Sequence, residues 1–151
     1  MTRPLHLWLI DDKPANIEMI EASFPPAVRA VICMRSFLRA ADAVDVFESA
    51  LARDRTSLPD FILLDYFLDG VYGHELLDRM LERYAATGVP RAVVIAHSSM
   101  AEASQVLEHH GADCTLPKVK GLPRSDAVAW AFRSVEAVAW FREHRRPRPG
   151  E

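Results

Sequence analysis

The chain has 151 residues, of which 50% are hydrophobic, and a formal net charge of −3 at pH 7. This length allows one folded domain with a sizeable core and leaves no room for a second. The small negative charge gives no electrostatic basis for broad binding to nucleic acid or to an anionic membrane surface.

Apolar runs of strand length alternate along the chain with segments in which apolar residues recur at helical spacing. In chain order the predicted elements are a strand over 5–10, a helix over about 14–24, a strand over 29–34, a helix over about 38–53, a strand over 60–64, a helix from about 76 to 88, a strand over 92–96, a helix over about 100–110, a strand over 112–117 and a helix over about 125–145. This alternation predicts an α/β fold in a single domain: a doubly wound, five-stranded parallel sheet of flavodoxin-like topology.

Charged residues follow three of the predicted strands at the point where each strand ends. Asp11 and Asp12 follow the first strand, Asp65 the third and Lys118 the fifth. Because ligands of open α/β sheets bind just outside the carboxyl ends of the strands, we expect these side chains to share one site. Carboxylates held that close raise one another's pKa unless a divalent cation takes up the charge, which predicts a Mg²⁺ site.

The turn after the first strand argues against a nucleotide or flavin site. Such a site offers a glycine- or serine-rich loop whose backbone N–H groups attract phosphate. Here Asp11-Asp12-Lys13-Pro14 occupies the turn, and neither G-x-G-x-x-G nor G-x-x-x-x-G-K-[ST] occurs in the sequence. Two carboxylates attract a cation and repel an anion.

Three blocks of sequence, in this order, resemble the receiver domain of two-component response regulators. The blocks are Leu9-Ile10-Asp11-Asp12-Lys13-Pro14, then Asp60-Phe61-Ile62-Leu63-Leu64-Asp65 followed by Gly70 and Gly73, and finally Gly111-Ala112-Asp113-Cys114-Thr115-Leu116-Pro117-Lys118. The resemblance covers residues 5 to about 143. It implies a stand-alone receiver domain, without an output domain in the chain, that switches a protein-interaction surface.

The resemblance implies a role for each charged residue at the strand ends. Asp65 is the expected phosphoacceptor, whose carboxylate attacks the phosphorus of a phosphohistidine in a sensor histidine kinase or a phosphotransfer protein. Asp12 is expected to bind Mg²⁺ directly and Asp11 through water, with Asp65 and the backbone carbonyl of Phe67 as further ligands. Lys118 is expected to pair with a phosphoryl oxygen. The protein would phosphorylate and dephosphorylate itself and would not be a turnover enzyme.

A hydroxyl residue at the end of the fourth strand is expected to hydrogen-bond the phosphoryl group and to carry the switch. Aligning residues 94–97 with the family's apolar run places Ser98 there, with His97 and Ser99 as alternatives. Phe67, two residues after Asp65, is predicted to cover the phosphoryl group and to slow self-dephosphorylation.

Three residues depart from the family's pattern. Val119 follows the lysine where the family usually has proline, Thr115 replaces the aromatic residue that reports phosphorylation, and Asp69 takes the place of a common proline. The Lys118–Val119 peptide bond is expected to be trans, because a non-proline cis bond costs about 2.5–4 kcal/mol. These departures support an alternative function, a constitutive protein-interaction module with a receiver fold that is not phosphorylated.

The last two predicted helices are candidates for a partner surface. The final helix carries apolar residues on more than one face, more than a single core-facing stripe needs: Trp130, Phe132, Val135, Val138, Trp140 and Phe141. A downstream protein or a homodimer contact is therefore expected on these helices. No nucleic-acid or membrane partner is expected.

The ends of the chain and its two cysteines complete the predictions. We expect the receiver domain to cover residues 1–145 and residues 146–151 to form a disordered, basic, proline-containing tail. The basic residues that start at Arg142 are predicted to belong to a frayed, solvated end. Cys33 and Cys114 are predicted to be reduced core residues. The sequence has no signal peptide and no run of about 18 apolar residues, which fits a cytoplasmic protein.

Overall fold

A five-stranded parallel sheet forms the centre of the computed structural model, which describes residues 3–118 and 126–144. The chain's strands are β1 (Leu5–Ile10), β2 (Ile32–Phe37), β3 (Phe61–Leu64), β4 (Phe67–Leu68), β5 (Val71–Tyr72), β6 (Val93–Ala96) and β7 (Cys114–Thr115). The sheet has the order β2-β1-β3-β6-β7, while β4 and β5 pair with each other as an antiparallel hairpin. The predicted doubly wound parallel sheet in one domain is confirmed.

Helices cover both faces of this sheet. They are α1 (Pro14–Ser23), α2 (Pro26–Arg29), α3 (Ala40–Arg53), α4 (Gly73–Thr87), α5 (Ala101–His109), α6 (Asp126–Ala131) and α7 (Val135–His144), with a short 3-10 turn at Arg55–Ser57. None of the helices in the described ranges combines the length and the apolar character that are needed to span a bilayer.

Alternate residues of the central strands enter two separate cores. Trp8 and Ile10 of β1 pack into a core that α3, α4 and α5 cover, whereas Leu7 and Leu9 enter a core that α1, α2, α6 and α7 cover. Both faces of the sheet are dry, and this is why β1, β3 and β6 appear in the sequence as continuous apolar runs. In the central strands β3 and β6 all residues are apolar and buried, so polar residues occur only beyond their ends.

The second strand was predicted three residues too early. Pro26 begins the short helix α2, in which Val28 is fully buried, and β2 starts only at Ile32, in register with Leu5 of β1. The apolar side chains before Ile32 therefore belong to a helical turn, which periodicity over so short a run does not distinguish from a strand.

The last predicted strand was too long, and the last predicted helix is two helices in the structure. In the region predicted as strand 112–117, only Cys114–Thr115 pairs with β6. The final helix is interrupted at residues 132–134, because the hydroxyl of Ser134 accepts a hydrogen bond from the backbone N–H of Ala137 and begins α7 anew.

Two single-residue expectations also need correction. Cys33 is exposed and Cys114 is half-buried, so that Cys33 is not a core residue. Arg142 lies within α7 and binds Asp60, and is therefore not part of a frayed end. The predicted tail over 146–151 lies outside the described residues.

Candidate functional site

Three carboxylates meet at the edge of the sheet where β1 and β3 end, which we call the carboxyl edge. Asp11 and Asp12 directly follow β1, and Asp65 directly follows β3, the strand paired with β1. One carboxylate oxygen from each of the three lies within 4.8 Å of the other two. The structure thus brings together the three acidic residues that the sequence analysis selected.

Lys118 lies between two of these carboxylates. Its Nζ is 2.7 Å from Oδ2 of Asp11 and 3.1 Å from Oδ2 of Asp65. The side chain of Lys118 is 15% exposed and those of its partners are 5% exposed, so the ion pairs are largely shielded from water. One ammonium group against three carboxylates leaves the cluster with excess negative charge.

Asp11 and Asp65 receive further hydrogen bonds, whereas Asp12 has a free acceptor. The backbone N–H of Lys13 donates to Oδ1 of Asp11 at 2.9 Å, and the N–H of Tyr66 donates to Oδ1 of Asp65 at 2.8 Å. Oδ1 of Asp12 is buried and has no hydrogen-bond donor among the described residues. A buried carboxylate oxygen without a donor is costly, and a divalent cation ligated by oxygen would satisfy it.

The electrostatics of Asp65 also favour a cation. Burial raises the pKa of the Asp65 carboxyl above its usual value, and the neighbouring Asp11 raises it further, while Lys118 opposes both effects. The ionised form of Asp65 is thus held at a free-energy cost, which a further positive charge beside it would reduce.

Close backbone packing fixes the chain after Asp65. A Cβ placed on Gly73 would lie 2.2 Å from the carbonyl oxygen of Asp65, so only glycine fits at the start of α4. The N–H of Gly73 also donates to the carbonyl of Tyr66 at 2.6 Å. Between these contacts the β4–β5 hairpin presents Phe67, which is 44% exposed. The ligand role of the Phe67 carbonyl stays a prediction.

The three candidates for the switch residue differ in their surroundings. Ser98 is buried, and its carbonyl accepts a hydrogen bond from the backbone N–H of Lys118 at 3.1 Å. Its hydroxyl accepts from the N–H of Met100 at 3.2 Å. Ser99 is exposed. The switch role of Ser98 stays a prediction.

His97 has a structural contact that sequence reasoning did not assign. Its ring is buried, and Nδ1 is hydrogen-bonded to the carbonyl of Leu116, two residues before Lys118. Burial lowers the pKa of His97 to about 4, so the ring is neutral at neutral pH and its Nδ1–H is the donor. His97 thereby ties the end of β6 to the segment that carries Lys118.

Asn16 was missed at the site, and Gly73 was named in the second sequence block without a structural role. The amide of Asn16 approaches Oδ2 of Asp11 at 3.3 Å, and Gly73 allows the close approach described above. Asn16 lies in the first turns of α1, and a polar residue there, on the side of the acidic pair, was the available signal. Nothing local in the sequence distinguishes Gly73 from an ordinary loop glycine.

Two of the three residues that depart from the family's pattern lie in the described part of the chain. The hydroxyl of Thr115 donates to the carboxylate of Glu108 on α5. Asp69 is exposed at the tip of the β4–β5 hairpin and is not among the clustered carboxylates. Val119, and with it the Lys118–Val119 peptide bond, lies outside the described residues.

Comparisons with known proteins agree with the sequence resemblance. No protein-family model matches the chain. It is 27% identical to the two-component response regulator ARR6 of Arabidopsis thaliana over 119 residues, which are 78% of this chain and 63% of that protein. The chain therefore spans less than two thirds of the length of this curated relative.

Solved structures show the same fold at lower identity. A putative response regulator from Chloroflexus aurantiacus matches 91% of this chain and 99% of its own, with a TM-score of 0.64 at 19% identity. The phosphorylated cyanobacterial phytochrome response regulator RcpA matches 97% and 99%, with a TM-score of 0.67 at 17% identity. Chemotaxis response regulator CheY4 of Vibrio cholerae matches 86% and 97%, with a TM-score of 0.58 at 17% identity. The chain has the receiver fold, and its resemblance to the receiver domains of two-component response regulators is confirmed.

Proposed function

We propose that the chain is a phosphoacceptor receiver domain, in which Asp65 takes a phosphoryl group and the modification alters a protein-interaction surface. The observation that carries the proposal is the cluster of Asp11, Asp12 and Asp65 within 4.8 Å, with Lys118 bonded to two of its members. A cluster that served only to cap helices or turns would not require a lysine from a third strand end.

The proposed reaction is an in-line transfer between two side chains. An oxygen of the Asp65 carboxylate forms a bond to the phosphorus of a phosphohistidine on a histidine kinase or phosphotransfer protein. The bond from phosphorus to the imidazole nitrogen breaks, and the ring nitrogen keeps the electron pair and takes up a proton. Asp65 is suited to this role because its other contacts, to Tyr66 and Lys118, orient the carboxylate without covering it completely.

Lys118 is the residue that would respond to the incoming group. In the structure its ammonium neutralises part of the charge on Asp11 and Asp65. After transfer, the same ammonium can pair with an equatorial phosphoryl oxygen, which lies two bonds beyond the carboxylate oxygen that it now contacts. The proposed second donor is the hydroxyl of Ser98, whose backbone carbonyl accepts the Lys118 N–H.

Mg²⁺ is the proposed cofactor, and the donor set fits it. Asp11, Asp12 and Asp65, with the carbonyl of Phe67, would hold the ion, which when bound neutralises charge on the phosphoryl oxygens. The unpartnered Oδ1 of Asp12 and the surplus negative charge of the cluster support this assignment. Mg²⁺ prefers carboxylate and carbonyl oxygens, and no softer ligand is part of the cluster.

The proposed partner surface lies on α5, α6 and α7. Phe132, Val138 and Phe141 are buried against the sheet, whereas Trp130 is 68% exposed and Trp140 is 54% exposed. Large exposed aromatic side chains favour a protein contact over a solvated face. Light scattering with and without beryllofluoride tests a homodimer, and a monomer in both states would reject the dimer while leaving a downstream partner.

The decisive experiment is treatment with acetyl phosphate and Mg²⁺, followed by measurement of the intact mass. We expect a gain of one phosphoryl group in the parent and in the control Asp69→Asn. The control removes an exposed carboxylate that lies outside the cluster. No gain is expected in Asp65→Asn or in parent protein with EDTA. An unmodified parent that is folded would overturn the proposal and favour the alternative, a constitutive interaction module that is not phosphorylated.

A further inference from the structure

The opposite edge of the sheet, which we call the amino edge, carries a polar cavity that the proposed phosphotransfer does not use. Arg3 precedes β1, Asp60 precedes β3 and Arg91 precedes β6. Arg55 and Arg142 complete the charged wall of a cavity of about 210 Å³. Since β1 has six residues, each rising by about 3.3 Å, this cavity is about 20 Å from the carboxyl edge.

Only part of the positive charge in this cavity is balanced. Asp60 binds Arg3 at 2.7 Å and Arg142 at 2.9 Å, and Asp113 binds Arg91 at 2.8 Å. Arg55 donates from Nε to the carbonyl of Leu51 and forms no ion pair with any described residue. Among the described residues, these four guanidinium groups and the two carboxylates that bind them leave a surplus of two positive charges.

Asp60 has little capacity left for further donors. Besides the two arginines, its Oδ2 accepts the backbone N–H of His6 at 2.8 Å. The carboxylate is therefore fully used in holding the amino edge together, and it does not compensate Arg55 or Arg91. Arg55 is exposed, so its remaining guanidinium donors are hydrated and can take an anionic acceptor in place of water.

Arg91 supplies an independent sign of a missing acceptor. Its Nη2 donates to Asp113 and to the carbonyl of Gly111, both at 2.8 Å. Its Nε is buried and has no acceptor among the described residues. A buried charged donor without an acceptor is unfavourable, so the guanidinium of Arg91 adds incompletely compensated positive charge beside the cavity.

We propose that this cavity is a binding site for a small phosphoryl dianion, either inorganic phosphate or a small phosphomonoester. The surplus of two positive charges matches a dianion, and the planar guanidinium fork suits phosphate oxygens. The volume lies below the about 300–1,000 Å³ of pockets for drug-sized ligands, so a whole nucleotide does not fit. Leu58, Pro59 and Pro90 form an apolar wall that can take the carbon part of an ester.

The test is a titration of the full chain with inorganic phosphate and, separately, with phenyl phosphate, followed by amide chemical shifts in two-dimensional NMR. The buffer holds EDTA and a constant ionic strength, so that the carboxylate cluster at the other edge stays metal-free and repels the anion. We expect saturable shifts at the amides of Asp60, Arg91 and Val93. Tighter binding of phenyl phosphate assigns an ester, and equal or weaker binding assigns the free anion.

Two substitutions distinguish a specific anion site from a general effect of positive charge. Arg55→Gln removes a guanidinium with no ion pair to a described residue, so folding should persist, and we expect the dissociation constant to rise about five- to tenfold. The matched control is Arg79→Gln, which removes an exposed arginine on α4 and should change the dissociation constant of phosphate by less than about twofold. Equal effects of the two substitutions, shifts confined to residues 11, 12 and 65, or no saturable shift would each overturn the proposal.

Discussion

The two edges of the central sheet carry opposite charge, and their aspartates differ in how fully their charge is compensated. At the carboxyl edge, three carboxylates share one lysine, Asp12 keeps a free buried oxygen, and burial raises the pKa of Asp65. At the amino edge, Asp60 is equally buried but accepts hydrogen bonds from two arginines and one backbone N–H. Burial of an aspartate therefore does not by itself select a candidate site, whereas incomplete compensation of its charge does.

The largest expected effect concerns His97, the buried ring that links β6 to the Lys118 segment. Its pKa is about 4 in the folded protein against an ordinary 6.5, so the unfolded chain binds the proton more readily. This group therefore lowers the free energy of unfolding as the pH falls from about 6.5 to about 4, by about 3 kcal/mol in total. Above pH 6.5 it has no effect of this kind.

Urea unfolding at pH 7, 6, 5 and 4 measures this effect. His97→Gln should lose the component of the pH dependence that the parent shows in this window. His109→Gln, which replaces an exposed histidine at the end of α5, should retain it. Equal slopes for the two variants would mean that His97 is not held neutral.

Asp60→Asn should produce the next largest change. The substitution leaves Arg3 and Arg142 without their shared carboxylate and weakens the acceptor of the His6 N–H. Breaking a buried pair costs about 3–5 kcal/mol, and because both arginines are partly exposed we expect a loss of about 2–3 kcal/mol. Urea unfolding in EDTA at pH 7 measures it, and a loss below about 0.5 kcal/mol would contradict the structural role of Asp60.

Asp65→Asn should have the opposite sign under the same conditions. The raised pKa means that the folded protein holds the ionised carboxyl unfavourably, and Lys118 keeps Asp11 as a partner when Asp65 is neutralised. We expect the metal-free variant to be more stable than the parent by about 0.5–1 kcal/mol at pH 7. The advantage should decrease as the pH falls and the parent carboxyl takes up its proton.

This pair of substitutions tests the comparison directly. If Asp65→Asn destabilised the metal-free protein as much as Asp60→Asn, the carboxyl edge would be a structural ion-pair network like the amino edge. Added Mg²⁺ should reverse the order of parent and Asp65→Asn, because only the parent retains the full set of carboxylates. At a hundred times the dissociation constant, a ligand stabilises the folded state by about 2.7 kcal/mol.

The difference between the edges also explains what the sequence could predict. Asp11, Asp65 and Lys118 each follow an apolar run directly, and parallel strands bring such positions together at one edge. The amino-edge cavity depends on Arg55, which lies in a short 3-10 turn, and on Arg142, which lies in the last turn of α7. No spacing rule links these two positions. They line the same cavity only because of how α7 packs on the sheet.

The errors in the predicted elements have similar causes. The break before α7 depends on one serine hydroxyl capping a helix, in a segment that is otherwise apolar and helical in pattern. The β4–β5 hairpin has only two residues in each strand, with Asp69-Gly70 at the turn, and Gly70 has a φ of 80°. An Asp-Gly pair between apolar residues is a recognised hairpin signal, and this one was available in the sequence.

The last expected effect is on a rate and concerns Phe67, which has 44% of its surface exposed on the hairpin that follows Asp65. Its ring packs against the ring of Tyr66, the residue next to Asp65, at a centroid distance of 4.9 Å. An apolar ring there hinders the approach of water to a phosphoryl group on Asp65, whereas an amide admits and hydrogen-bonds water. Phe67→Asn should therefore speed the loss of the phosphoryl group about three- to tenfold, which is about 0.7–1.4 kcal/mol of activation free energy.

The measurement is the decay of phosphorylated protein by intact mass after removal of acetyl phosphate. The matched control is Tyr72→Asn, which changes the exposed aromatic residue paired with Phe67 across the hairpin. If the ring at position 67 alone shields the phosphoryl group, the decay rate of Tyr72→Asn should stay within about twofold of the parent. An unchanged rate in Phe67→Asn would remove the shielding role, while equal acceleration in both variants would assign the effect to the hairpin as a whole.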